Sequence, residues 1–217
     1  GRRRRRRGRR GRSVAGPGAK ARKTAPSAAW DAGRSQVSLM RLSALHLLLT
    51  YRCTQACEHC FVWGSPHQRG TLSLIAIREI LRQAEQLASI EWIYFEGGEP
   101  FLYYPILVYG VREAHSAGFR VGVVTNAYWA TGVEEAGAWL RPLTGLVEDL
   151  SVSTDLYHGD ELFNQEAEHA REAAAGLGIP MGTMAVAQPG QQDDALDALM
   201  YRGRAAIELA GDVLHRA

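Results

Sequence analysis

Cys53, Cys57 and Cys60 are the only cysteines of the chain and fall within eight residues, Cys53-Thr54-Gln55-Ala56-Cys57-Glu58-His59-Cys60. Three cysteines cannot make a closed disulfide framework, and with no further cysteine a stapled secreted scaffold is disfavoured. The chemistry left to them is ligation. Thiolates suit zinc, copper(I) or iron–sulfur clusters, and closed sites of zinc or iron ordinarily take a fourth ligand. Here the fourth ligand is a histidine, His59 or His67, or the position is open. His59 abuts Cys60, which makes tetrahedral closure on one zinc ion awkward, and no second CxxC pair is present. A free cysteine often packs as a small hydrophobe, but three in one loop with Glu58 and His59 between them fit that role poorly.

The next chemically suggestive stretch is Gly97-Gly98-Glu99-Pro100. Two adjacent glycines let a backbone approach a ligand where a Cβ would block it, and Glu99 with exposed peptide groups can receive a cationic amine. Alone, Gly-Gly-x-Pro is a turn signal. Asn126, Ser153 and Asp155 add donors and acceptors. No Ser-His-Asp arrangement, phosphate loop or dinucleotide fingerprint is evident.

The elements that must hold these residues read as repeated strand and helix. Leu45–Tyr51 is a short apolar run suited to a buried parallel strand. From Thr71, apolar residues at 74, 77, 81, 84 and 87 or 88 follow a helical period with one buried face. Glu91–Glu96 is the second strand and Pro105–Ala117 the second helix, with Pro105 in its first turn and Gly118 beyond its end. Arg120–Thr125 is the third strand. Thr131 and Glu134 give a capping-box signature for a third helix that stops before Pro142. Leu146–Ser153 is the fourth strand, Asp160 to Gly176 the fourth helix, Pro180–Val186 the fifth strand, and residues 191–209 are helical. Strands alternating with helices predict parallel pairing with right-handed crossovers. In such folds ligands gather at the carboxyl ends of the strands, where the cysteines, Gly97 to Pro100, Asn126, and Ser153 with Asp155 all fall.

The CxxxCxxC spacing followed by Gly97-Gly98-Glu99-Pro100 resembles the radical S-adenosylmethionine (radical SAM) superfamily over about residues 45 to 186. The resemblance implies that Cys53, Cys57 and Cys60 hold three irons of a [4Fe-4S] cluster whose fourth iron chelates the methionine end of SAM. It implies that Gly97 to Pro100 receive the methionine amino group, that His59 stacks near the adenine, and that Asn126, Ser153 and Asp155 meet the ribose or carboxylate. The implied activity is reductive cleavage of SAM to methionine and a 5′-deoxyadenosyl radical, which takes hydrogen from an unidentified substrate, small molecule or peptide. An electron donor of the flavodoxin or ferredoxin type is implied as partner. Tyr157 and His158, just past the fourth strand, are the residues to test as substrate contacts. The implied fold is α/β, a partial (β/α)6 TIM-like barrel with about five units present. A full (β/α)8 barrel needs ~250 residues, whereas 178 follow from Met40. The sixth unit and a carboxyl-terminal region are therefore expected to be missing. The rival from another class is a non-enzymatic zinc-binding or nucleic-acid-binding module.

Charge divides the chain. Residues 1–39 hold thirteen Lys or Arg against Asp31 alone, a net +12, so the overall +2 leaves −10 on residues 40–217. The tail has almost no large apolar side chains and is expected to be disordered; Met40 is a candidate true start. Arg2 to Arg7 can attract phosphate backbones, but without an aromatic platform specific nucleic-acid binding is not expected. No stretch reaches the ~20 apolar residues of a membrane span, and no cleavage site follows Leu42–Leu49. The expected compartment is a reducing cytoplasm.

Overall fold

The computed structural model describes residues 41–57, 60–153 and 161–184, with Arg204 and Ile207; for 161–164 and 183–184 it describes the backbone alone. The amino-terminal tail, His59, Asp155, Tyr157, His158, Asp160 and, apart from Arg204 and Ile207, the expected helix over 191–209 lie outside the described residues.

Strand and helix alternate as expected: β1 (Ala44–Thr50), α1 (Leu74–Leu87), β2 (Trp92–Gly97), α2 (Tyr104–Ser116), β3 (Arg120–Thr125), α3 (Val133–Leu140), β4 (Asp149–Ser153), α4 (Glu161–Gly176) and β5 (Met181–Met184). Short 3-10 turns occupy Pro100–Tyr103 and Arg141–Leu143. Every pairing is parallel, and the spatial order is the chain order, β1 to β5. That order decides the architecture. Right-handed crossovers that always step to the next strand in one direction put every helix on the same face, whereas an open doubly wound sheet reverses direction once and covers both faces. The sheet is therefore the wall of a partial α/β barrel.

Alternation along the strands separates the two faces. Leu47, Leu49, Ile93, Phe95, Val121, Val123, Leu150 and Val152 are buried in the main core with Ile77, Leu81, Leu107, Val111 and Leu140 of the helices. The other face is polar and aromatic. His46 stacks on Tyr94 at 4.7 Å and Tyr94 on Trp92 at 5.3 Å. Tyr94 donates to Asp149 Oδ2 (3.0 Å), Ser151 to Asp149 Oδ1 (3.1 Å), and the Arg120 guanidinium lies 3.9 Å over the Trp92 ring.

Three local expectations change. The capping box at Thr131 and Glu134 does not form: Gly132 is the N-cap of α3 and makes no side-chain cap bond, so Thr131 sits one residue outside. Glu134 and Glu135 instead occupy the first turn, where the helix dipole favours negative charge. The fourth strand is shorter than expected, because the amides of Leu146 and Val147 turn back onto the Leu143 carbonyl at 3.0 and 3.2 Å. In α1, capped by Ser73 accepting from Ala76 N–H (3.1 Å), only Ile77, Leu81 and Ala84 are buried; Leu74 and Leu87 are exposed. Among the described residues no helix is long and apolar enough to cross a membrane.

The joint between α2 and the sheet is tight. A Cβ on Gly110 would lie 2.6 Å from Cε1 of the fully buried Phe95. Gly110→Ala gains up to ~1 kcal/mol of helix propensity but overpacks the core at a cost of ~1–3 kcal/mol. The expected net result is a lowered thermal midpoint in a calorimetric or circular-dichroism melt; a raised midpoint would show that Phe95 yields freely.

Candidate functional site

The loop from β1 to α1 carries the cysteines and is pinned at its base. Thr50 Oγ1 donates to the Gly70 carbonyl (2.6 Å) and Thr71 Oγ1 to the Leu49 carbonyl (3.0 Å). Higher up, Arg52 and Ser65 form a parallel bridge, and Cys53 N–H donates to the Ser65 carbonyl (3.1 Å). Cys53, Cys57 and Cys60 are thereby held half-buried at the carboxyl end of β1. Gly64 N–H donates to Cys60 Sγ (3.2 Å), and the Cys57 thiol contacts Gln55 Oε1 (3.2 Å). Burial pushes the Cys53 thiol up to about 11, with the negative charges of Glu99 and Cys60 adding to it against the backbone N–H of Gln55. Metal binding at this sulfur must displace a proton.

The Gly97-Gly98 turn meets this loop directly. A Cβ on Gly64 would lie 3.3 Å from Gly98 Cα, 3.4 Å from Cys53 Cβ and 3.6 Å from Cys60 Sγ. The reason for the glycines differs from the sequence expectation. Gly97 has φ +138°, and a Cβ there would fall 2.2 Å from the Thr50 carbonyl oxygen; one on Gly98 would fall 2.2 Å from that of Arg52. What they let in is the chain's own backbone. Gly98 N–H donates to the Thr50 carbonyl (2.7 Å) and Glu99 N–H to that of Arg52 (2.8 Å), so the turn is stitched to the root of the cysteine loop.

Glu99 also departs from expectation. Its side chain has no solvent exposure, and both oxygens are taken by protein donors. Oε1 accepts from Phe101 N–H (3.0 Å) and Thr125 Oγ1 (2.9 Å), and Oε2 accepts from Asn126 N–H (2.8 Å). The carboxylate clips the end of β2 to the end of β3 and caps the 3-10 turn opened by the buried Pro100. Burial raises the Glu99 carboxyl to about 7 in spite of these three donors. Phe101, next along, is buried and stacks on Trp129 at 4.3 Å.

Asn126 is nearly buried, and its amide is also engaged. Nδ2 donates to Thr54 Oγ1 (2.9 Å) and lies 3.6 Å from Cys53 Sγ, while Oδ1 accepts from Tyr128 N–H (3.2 Å). It joins the end of β3 to the cysteine loop. Ser153 is half-buried at the end of β4; His59 and Asp155 are outside the described residues. Sequence reasoning put Thr125 at the mouth beside Asn126 but gave it no role; its hydroxyl donates to Glu99 and accepts from Trp129 Nε1–H (3.0 Å). That reasoning missed Gly64, Gln55 and Arg204. Glu96, on the inner face, lies 3.1 Å from His46 Nδ1; the period-2 pattern of Trp92, Tyr94 and Glu96 was its available signal.

A zinc site needs its sulfurs gathered on one ion; among the described residues no three His, Cys, Asp or Glu side chains gather closely enough to hold one. A four-iron cluster takes each thiolate on a separate iron. Gln55 Nε2 is buried in this loop with no acceptor among the described residues, a donor that sulfur of such a cluster would satisfy. The three cysteines thus fit a cluster, with the Gly-Gly turn beside it.

Glu99 gives the site a pH signature. The folded chain keeps its proton to about pH 7, above the ~4.3 of an unfolded glutamate. Its contribution is therefore full below pH 4 and is lost as pH rises through 7. Glu99→Gln sets an amide N–H₂ against a buried donor, and is expected to lower stability by ~1–3 kcal/mol. The gap between wild type and variant in urea melts should narrow from pH 5 to pH 8; a constant gap would show that Glu99 does not titrate in that window.

The radical SAM superfamily profile matches residues 47–200. The tungsten-containing aldehyde ferredoxin oxidoreductase cofactor-modifying protein of Pyrococcus furiosus is 36% identical over 83 residues, 38% of this chain and 23% of the relative. The S-adenosylmethionine-dependent nucleotide dehydratase of Selenomonas ruminantium is 29% identical over 82 residues, 38% of this chain and 29% of the relative. The crystal structure of HydG, a maturase of the [FeFe]-hydrogenase, superposes with a TM-score of 0.49 at 17% identity, over 80% of this chain and 39% of that one. The chain spans less than a third of the length of these two curated relatives. The matched segment contains the whole cysteine loop, the Gly-Gly turn and β2 through β5, well over half of the residues, and the chain belongs to the radical SAM superfamily of enzymes.

Proposed function

We propose that residues 40–217 are the cofactor-binding core of a radical SAM enzyme, with Cys53, Cys57 and Cys60 as ligands to a [4Fe-4S] cluster and the Gly97-Gly98 turn as the seat of SAM. The observation that carries this is the contact of that turn with the cysteine loop, Gly64 lying between Gly98, Cys53 and Cys60. Cluster and SAM together supply the one-electron cleavage that yields methionine and a 5′-deoxyadenosyl radical, which takes hydrogen from a small-molecule or peptide substrate.

The chain's own contribution is binding and orientation. The pinned loop carries the chain's only cysteines at three positions, leaving the fourth corner of a four-ligand cluster for SAM. Gly64 N–H to Cys60 Sγ lowers the electron density on one ligand, a lever on cluster potential. Glu99 and Asn126, rather than meeting SAM with their side chains, hold the strand ends so that the peptide groups of residues 97–98 face the cluster loop. Ser153, with His59 and Asp155, is assigned to the nucleoside. The polar inner face, with His46, Tyr94 and Glu96, is assigned to the substrate side. Thiol ligation suits a reducing cytoplasm, and a flavodoxin- or ferredoxin-type protein is the proposed electron donor.

Two experiments test this. Anaerobic reconstitution with iron and sulfide is expected to give a brown protein with about four irons per chain, and Cys57→Ala to lose both colour and iron; one zinc per chain and no colour would favour the zinc module. Incubation of the reconstituted protein with SAM and dithionite is expected to release methionine and 5′-deoxyadenosine, and to stop with Cys60→Ala. No cleavage by a fully loaded protein would remove the enzymatic reading.

A further inference from the structure

Arg204 lies four residues beyond the segment matched by the family and about 140 residues from the cysteine loop in sequence, yet it is buried against that loop. Its backbone N–H donates to the Cys60 carbonyl (2.9 Å). Its guanidinium donates through one terminal nitrogen to the Cys57 carbonyl and through the other to the Gly64 carbonyl (2.9 Å). The charged group also sits over the Trp63 ring, 5.7 Å from its centroid. One arginine therefore holds carbonyls of two cysteine ligands and of the glycine whose N–H points at the sulfur of Cys60.

The contacts fall where the loop needs holding. Trp63 has a left-handed backbone, φ 58°, a conformation that side chains other than glycine resist. Gly64, the next residue, has to keep its amide on Cys60 Sγ. A planar guanidinium reaching two carbonyls and a ring fixes that peptide in a way a lysine ammonium cannot. The Arg204 guanidinium places a positive charge against the carbonyls of the ligand loop. A thiolate-held cluster gains a negative charge on reduction, and net charge and hydrogen bonds at sulfur are what set its potential.

We propose that Arg204 is a positioning residue of the cysteine loop, which locks the 57–64 segment through its carbonyls and raises the potential of the cluster held there. The inference rests on the cluster reading above. It gives Arg204 a function in this chain: to hold the cysteine loop through its carbonyls.

The test compares wild type, Arg204→Gln and Arg204→Lys in the full chain. In the metal-free proteins, hydrogen exchange at the amides of Cys60 and Gly64 is expected to be faster in both variants than in wild type. After anaerobic reconstitution, iron loss to a chelator is expected to be about tenfold faster in both variants, within the range for residues that support metal ligands. In an EPR-monitored redox titration the Gln variant is expected at a lower midpoint than wild type, with Lys, which keeps the charge, nearer to wild type. Wild-type exchange and wild-type iron loss in the Lys variant would overturn the latch even if the Gln variant did not fold. A Gln midpoint equal to that of wild type would overturn the effect on potential. A wild-type protein that takes up no iron would sink the cluster reading itself, a result separate from either.

Discussion

The site depends on one close approach of backbone to backbone. At Gly97 and Gly98 the end of β2 comes so near to the end of β1 that any Cβ would sit 2.2 Å from a carbonyl oxygen. No rotamer relieves such a contact, because a Cβ is fixed by the backbone. The two glycines therefore set the distance between the Gly-Gly turn and the root of the cysteine loop. The amides of Gly98 and Glu99 convert this proximity into hydrogen bonds to Thr50 and Arg52. If the strand ends separated, the loop would lose its base and the turn its place beside Cys53 and Cys60.

Glu99 holds the next joint by a different means. A carboxylate with no solvent exposure is costly unless its oxygens are met by donors, and here Phe101, Thr125 and Asn126 supply three. Such a group contributes less to net stability than to uniqueness of arrangement, since few alternative packings satisfy all three donors at once. Thr125 extends the network to Trp129, and Trp129 carries Phe101 on its face. The polar centre and its aromatic floor thus brace each other around the ends of β2 and β3.

The two faces of the sheet divide the work of the fold. The helix side is close-packed and apolar from Leu49 and Phe95 to Leu150 and Val152. The opposite side carries His46, Tyr94, Glu96, Asp149 and Ser151, a set that an eight-stranded barrel would ordinarily fill with branched apolar residues. On that surface Tyr94 of β2 reaches past β3 to Asp149 of β4, while His46 of β1 meets Glu96 of β2.

Much of this was legible in the residues themselves. Short apolar runs and helical periods located the five strands and four helices of the described residues, because burial imposes those patterns whatever the neighbours are. The cysteine spacing and the Gly-Gly-Glu-Pro turn singled out two loops that the structure packs together, because residue type and backbone permissiveness are local properties. The tertiary structure alone decided what each group faces. It turned Glu99 inward, gave the glycines to Thr50 and Arg52, spent the Asn126 amide on Thr54, and brought Arg204 onto the cysteine loop. Those outcomes depend on which carbonyls and donors lie across a gap from residues 26 to 147 positions away in the chain, and no local pattern encodes them.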